Sequence, residues 1–487
     1  MYKRDFYYKL EDFVLNSEQN FLILSGPRKC GKTYALKQLE RKFKNKINYI
    51  DFKTVNNEDD SVDIINKIIR DIRSGEDSIY ILDEYTYAYC PMQEMARIAD
   101  EIIDSKIDDK DIKTKVIFTG SQSKVIGSWG YTAFCNYAIY LDVTFLNYKE
   151  WLDWKGIEKV TKDAFEEFCL DAKSFYRGFS TIEAYLRGCI EETIISNSKS
   201  YDQFHEIKCD MVTSDKLINV AYLILLKLHS NIKYSSLFKE DILTERITYL
   251  YKTIYRYKFD SIDNLKSSIK NCYLDKINRV NSMSYDELKQ CLMFLMDIGF
   301  ITATPVYDDV QRPIYVISEL KNIDNTLDNK IKLFDNVNYT FNYPIFYIDI
   351  IKDIFGDISN INNNLLGSIY ETYIRGLISC RGVLEFRKDN KCEIDFIDYY
   401  SKIALEFTVT NKKISDTNFE LLPKDDKYTC VLTTKDITDI TNGIIRIPFA
   451  ELLYKLNSGK DVHSIISEYK DGFSCLDRIF NTAINKH

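Results

Sequence analysis

The sequence predicts an α/β chain whose first 147 residues form a doubly wound parallel sheet. Short apolar runs alternate with stretches whose apolar residues recur at helical spacing. A glycine-bracketed loop, GPRKCGKT from Gly26 to Thr33, joins the first run to the first helical stretch, and a later run ends in two adjacent acids, Asp83 and Glu84.

The elements follow in order. Phe21, Leu22, Ile23 and Leu24 read as a buried strand, and Leu36, Leu39 and Phe43 mark a helix after the loop. Asn48 to Phe52 reads as a second strand, with Ile64, Ile65, Ile68, Ile69 and Ile72 striping the next helix. Ile79 to Leu82 is a strand delivering Asp83 and Glu84 to its C-terminal edge, where open α/β sheets bind ligands. Met92, Met95, Ile98 and Ile102 stripe another helix before the strand Val116 to Thr119, which ends in Gly120, Ser121, Gln122 and Ser123.

These residue types in this order imply phosphate chemistry. Gly26, Pro27, Arg28, Lys29, Cys30 and Gly31 form a loop whose backbone N–H groups, Pro27 excepted, turn onto phosphate oxygens. Lys32 reaches the β and γ phosphates, and the Thr33 hydroxyl ligates Mg²⁺. Asp83 is expected to hold Mg²⁺, mostly through water, and Glu84 to orient and deprotonate the attacking water. Ser121 sits where a polar side chain senses the γ phosphate. Hydrolysis commonly needs an added arginine; Arg177 and Arg187 are candidates that spacing does not separate.

At 487 residues the chain has room for about three domains. A net charge of −8 makes its surface as a whole repel polyanions, so contact with nucleic acid would need a local basic patch. The twelve cysteines include no C-x-x-C pair and read as small core hydrophobes in a reducing, cytoplasmic compartment. The opening MYKRDFYYKL lacks the apolar core of a signal peptide, and no run approaches the roughly 20 apolar residues of a membrane span.

Beyond residues 1–147 the sequence predicts a helical lid over 148–215, punctuated by Gly178 and Gly188. A helical and winged-helix-like module is expected over 216–320. There Ser284 and Glu287 form a capping box, Leu288, Leu292 and Leu295 the buried face, and Gly299 the stop. Phe300 to Val306 and Pro313 to Ser318 read as a hairpin about Asp308 and Asp309. The helix carries Asp286, Glu287 and Asp297 against Lys289, the wrong sign for DNA, whereas Lys266, Lys270, Lys276 and Arg279 precede it. The Asn- and Asp-rich stretch 321–345 reads as a linker.

Residues 346–487 carry a helix around Leu365 to Ile378, strands Val383 to Phe386, Glu393 to Ile397, Ile403 to Val409, Tyr428 to Leu432 and Ile444 to Ile447, and a helix Ala450 to Leu456. If the strands holding Asp395 and Glu406 form a hairpin, these acids become neighbours able to bind Mg²⁺, with Glu371 as a third. Such a trio is a nuclease-like site. Its usual lysine, two residues after the last acid, is here Thr408, and Lys412 or Lys413 could substitute. A nuclease-shaped domain kept for docking is the alternative.

Taken together, GPRKCGKT, YILDEY, IFTGSQS, FLNYKEW, EIDFI, ALEFTV and GIIRIPF resemble the prokaryotic AAA-superfamily ATPases of the archaeal-ATPase type. That resemblance implies a P-loop ATPase joined to a winged helix and an α/β restriction-endonuclease-like domain. It implies that Gly31, Lys32 and Thr33 bind phosphate and Mg²⁺, that Asp83 and Glu84 serve metal and water, and that Glu371, Asp395 and Glu406 descend from nuclease acids. It also favours ATP over GTP. The expectation is an ATP-driven conformational switch, with a DNA or protein partner and an oligomer both compatible. The rivals are an ATP-licensed, Mg²⁺-dependent DNA nuclease with a role in defence, and a DNA-binding module.

Overall fold

The apolar runs of the first 146 residues line up as one parallel sheet: β1 (Phe21–Ser25), β2 (Ile47–Asp51), β3 (Ile79–Asp83), β4 (Lys115–Thr119) and β5 (Ala138–Asp142), in the order β2-β3-β4-β1-β5. Each neighbouring pair is parallel. This is a computed structural model. It describes residues 2–108, 112–120, 122–134, 137–171, 181–199, 209–228, 275–305, 337–355, 362–378, 386–388, 391–398, 400–422 and 427–470.

Helices α1 (Asp5–Asn16), α2 (Lys32–Lys42), α3 (Glu58–Ser74), α4 (Pro91–Ile107) and α5 (Ser123–Phe134) flank these strands. The isoleucine stripe of α3 does what its spacing predicts, because Ile65, Ile68, Ile69 and Ile72 are all buried in a core shared with Tyr80, Leu82, Met95, Ile98 and Phe118. Each such side chain contributes roughly 1.5–3 kcal/mol by leaving water. Asn57 caps α3 by accepting from the Asp60 N–H, and Gly75 closes it. β5 is absent from the periodicity reading for a physical reason: it is an edge strand, and along it only Leu141 is buried.

The helices α6 (Tyr148–Lys155) and α7 (Lys162–Leu170) follow. Asn147 and Glu150 form a capping box at the start of α6. By compactness one unit is Met1–Leu146, Lys173–Leu217 and Gln290–Phe300, and the other is Asn147–Ala172, Ile218–Lys289 and Ile301–His487. The expected lid at 148–215 is therefore divided. Residues up to 172 belong with the C-terminal half because α6 and α7 are glued there by aromatic rings. Phe165 meets Tyr370 and Phe449 edge-on, and Phe168 meets Tyr373. The Tyr148 N–H also donates to the Asn457 side chain at 2.9 Å. The remainder, with α8 (Ile182–Lys199), belongs to the first unit.

After α9 (Ser214–Leu228) comes α10 (Tyr285–Asp297), whose capping box is the one expected. The Ser284 N–H donates to Glu287 at 2.7 Å and the Glu287 N–H to the Ser284 hydroxyl at 3.1 Å. Leu288, Leu292 and Leu295 are buried. The next strand, β6 (Ile301–Pro305), pairs antiparallel with β7 (Val337–Phe341). The predicted return strand, Pro313 to Ser318, lies outside the described residues, as do Lys266 and Lys270. Lys276 lies over the Tyr222 ring at 3.9 Å and Arg279 pairs with Asp275 at 2.9 Å.

The linker expected at 321–345 is corrected in its second half, where β7 runs directly into α11 (Pro344–Phe355). Composition misleads there: Asn338 and Asn342 suggest a loop, yet Val337, Tyr339 and Phe341 alternate inward and are buried.

The C-terminal half contains α12 (Asn363–Ile378), a hairpin of β8 (Phe386–Lys388) and β9 (Lys391–Ile394), then β10 (Phe396–Asp398), β11 (Ile403–Glu406), β12 (Thr429–Thr434), β13 (Asp439–Thr441), β14 (Ile444–Pro448) and α13 (Phe449–Asn457). Their sheet has the order β10-β11-β12-β14-β13, with β11, β12 and β14 parallel and the two outer strands antiparallel. The strand expected from Glu393 to Ile397 is broken at Asp395, whose carboxylate turns to accept the Phe407 N–H at 2.7 Å. The strand predicted to reach Val409 ends at Glu406. Residues 383–385 lie outside the described residues.

Candidate nucleotide site

The loop between β1 and α2 has the backbone a phosphate cradle requires. Gly26 has φ +147°, Lys29 +64° and Gly31 +97°. A Cβ at Gly26 would meet the Val143 carbonyl oxygen at 2.2 Å, so only glycine lets the strand exit pass the chain leaving β5. Gly31 caps α2 in the left-handed conformation, with Lys32 and Thr33 in the first turn, where unpaired N–H groups and the helix dipole favour an anion. The Lys32 ammonium is buried and donates to the Gly26 carbonyl at 2.5 Å and the Pro27 carbonyl at 3.0 Å.

Sheet order carries the acidic pair to the same edge. β4 lies between β1 and β3 and all three are parallel, so their C-terminal ends lie at one edge of the sheet, where open α/β sheets bind ligands. Asp83 is buried; Tyr49 donates its hydroxyl hydrogen to one carboxylate oxygen and the Glu84 N–H reaches the other at 3.0 Å. Burial is the main influence raising its pKa, opposed by hydrogen bonds from Tyr49 and from the Thr33 hydroxyl. The nearness of the Thr33 hydroxyl to Asp83 links the two sequence motifs. Glu84 sits at φ +52°, a strained conformation for a residue with a side chain, and its carboxylate is 3.6 Å from the Lys53 ammonium.

Helix α8 completes the surroundings. Arg28, buried within the phosphate loop, pairs with Glu192, and its second nitrogen is 3.4 Å from the Thr193 hydroxyl. The same Glu192 carboxylate is 3.3 Å from Lys53, while its backbone carbonyl accepts from the Tyr87 hydroxyl at 3.0 Å. Sequence reasoning missed Lys53, Tyr49 and Glu192. Lys53 has a faint signal, lying just beyond the end of a strand, but Glu192 is 164 positions from Arg28 and has none. Arg187 pairs with Glu183 at 2.8 Å on an exposed helix face, while Arg177 and Ser121 lie outside the described residues.

In the second unit the expected hairpin forms: Phe396 pairs with Leu405, which sets Asp395 opposite Glu406. Lys412 donates to Glu406 at 2.7 Å, as the sequence allowed, and the Asn418 N–H donates to its other oxygen at 2.5 Å. Arg375, which the sequence did not single out, binds Glu371 one helical turn away. The acids thus spend their oxygens on protein donors. Among the described residues no group of three or more His, Cys, Asp or Glu is placed to hold a metal ion.

Burial, then the Glu371 and Glu406 carboxylates, push Asp395 up to about 8 against the pull of Arg375 and the Phe407 N–H. An unfolded aspartate titrates near about 4, so the folded chain holds a proton there that the unfolded chain releases. Stability from this group is full below about pH 4 and is lost as pH rises toward about 8. Asp395→Asn, which can still accept from Phe407, is expected to flatten the decline in melting temperature between about pH 5 and 8. An unchanged slope would show that another group titrates.

Residues 18–152 match the family model described as AAA domain. No curated protein matches the chain. Among solved structures it is similar to a DNA replication initiation factor, at 10% identity over 59% of this chain and 93% of that one, with a TM-score of 0.22. It is also similar to the Aeropyrum pernix ORC2 protein in ADPNP–ADP complexes, at 12% identity, 62% and 87% coverage and a TM-score of 0.29. A mutant RuvB from Thermotoga maritima gives 15% identity, 66% and 94% coverage and 0.26. Among the described residues no helix is long and apolar enough to cross a membrane.

Proposed function

We propose that the AAA-type domain over residues 18–152 binds and hydrolyses ATP with Mg²⁺, and that the nucleotide state switches the conformation of the chain. The observation that carries this is the placement of the Thr33 hydroxyl near enough to Asp83 to hold its pKa down, which brings the phosphate loop and the acidic strand end together. A hydroxyl beside a carboxylate is an all-oxygen donor set that fits Mg²⁺, and Thr33 and Asp83 are the residues that would hold it. Bound there, the ion would neutralise phosphate charge. Lys32 supplies a fixed positive charge at the cradle, the α2 N–H groups bind phosphate oxygens, and Glu84 accepts the proton of the attacking water while Lys53 fixes the direction of its carboxylate.

The switch reading is supported by Glu192. One carboxylate on α8 holds both Arg28 of the phosphate loop and Lys53 beside Glu84, so a triphosphate competing for Arg28 would loosen the grip of α8 on both. ATP turnover and calorimetric ATP uptake of the full chain test the proposal beside Lys32→Ala. The variant is expected to bind ATP at least about tenfold more weakly, the scale of one lost charge-assisted contact. Equal uptake and equal turnover in both proteins would refute it.

The nuclease reading retains one favourable observation, the Lys412 amine on Glu406. Against it stands Arg375, a fixed cation among the acids whose place a metal would need. Mg²⁺-dependent cleavage of DNA that disappears in Asp395→Ala would promote that reading. A DNA or protein partner and an oligomeric state belong to the same proposal, and location in the cytoplasm goes with it.

A further inference from the structure

We infer that Arg4, ahead of α1 and outside the matched AAA stretch, is a positioning residue that sets the phosphate loop for its ligand. This rests on the ATP reading above. The Arg4 guanidinium donates to three backbone carbonyls: one terminal nitrogen to Cys30 at 2.6 Å and to Thr144 at 2.8 Å, the other to Phe145 at 3.0 Å. The fork therefore ties the phosphate loop to the chain leaving β5.

The bond to Cys30 matters because of peptide geometry. A trans peptide is planar, with its C=O and N–H pointing in opposite directions. Holding the Cys30 carbonyl toward Arg4 therefore turns the Gly31 N–H away from Arg4 and into the concave side of the loop, where phosphate oxygens bind. Gly31, at φ +97°, has no side chain to enforce this orientation. The other two bonds anchor Arg4 to residues adjoining Val143, whose carbonyl already bears on Gly26. Both ends of the loop are thus braced against one short segment, 143–145, and Arg4 supplies the brace at the far end. A lysine could keep the bond to Cys30 but lacks the planar fork that spans three acceptors.

The test compares the full-length protein with Arg4→Ala and Arg4→Lys in steady-state ATP hydrolysis and in ADP titration calorimetry. Arg4→Ala is expected to raise KM for ATP and Kd for ADP by about 10- to 100-fold while kcat stays within about threefold, because the cradle is displaced and Glu84 is not. Arg4→Lys should fall between. Unchanged KM and Kd in Arg4→Ala, with wild type binding normally, would overturn the Arg4 assignment alone. So would a loss confined to kcat, or loss of the fold in both variants, which would make Arg4 a scaffold residue. Failure of the wild-type protein to bind ATP or ADP would remove the underlying ATP reading and this inference with it.

Discussion

Glu84→Gln is expected to lower ATP turnover by at least about a hundredfold, the usual reach of a positioned general base. ATP binding should stay within about threefold of wild type, because the residues that would hold phosphate and metal are untouched. The amide keeps the size of the side chain, and φ +52° at this position holds it in the same direction. What it loses is the proton acceptor and the charge that Lys53 faces at 3.6 Å. Phosphate release and calorimetry on the same samples read the two effects separately. Turnover equal to wild type would remove Glu84 from the chemistry, and a parallel loss of binding would make it part of the cradle instead.

Arg375→Ala is expected to destabilise the chain by about 3 kcal/mol in denaturant unfolding. Breaking a buried ion pair by removing one partner costs about 3–5 kcal/mol. The lower end applies because the Arg375 side chain is 4% exposed but Glu371 is 35% exposed and partly solvated. The loss extends past that pair, since Arg375 also opposes the upward shift of Asp395. With the guanidinium gone, Glu371 and Asp395 would face each other with Lys412 committed to Glu406. A change within about 0.5 kcal/mol would mean that Arg375 is not the counter-ion of Glu371.

What was legible in the sequence was local. The phosphate loop, the strand ending in Asp83 and Glu84, the Ser284–Glu287 cap and the pairing that sets Asp395 opposite Glu406 each occupy a dozen or so residues, and backbone periodicity suffices to place them. Strands escaped where burial did not follow composition. β5 exposes most of its residues at a sheet edge, and β7 hides three inward-facing residues between asparagines. The partners of the site escaped for another reason. Arg4 reaches Thr144, and Arg28 reaches Glu192, across 140 and 164 positions, and no spacing rule spans such distances. The division of 148–215 has the same origin, because the rings that claim α7 come from Tyr370, Tyr373 and Phe449.

That division also bears on how the protein is made. The first unit draws on residues as late as Gln290–Phe300, although its sheet is complete at Asp142. Ribosomes extend chains at about 5–20 residues per second, so roughly 8 to 30 seconds separate synthesis of Leu146 from that of Phe300. During that interval the nascent first unit lacks its last segment, and a fragment ending near residue 150 would stay in that unfinished condition permanently.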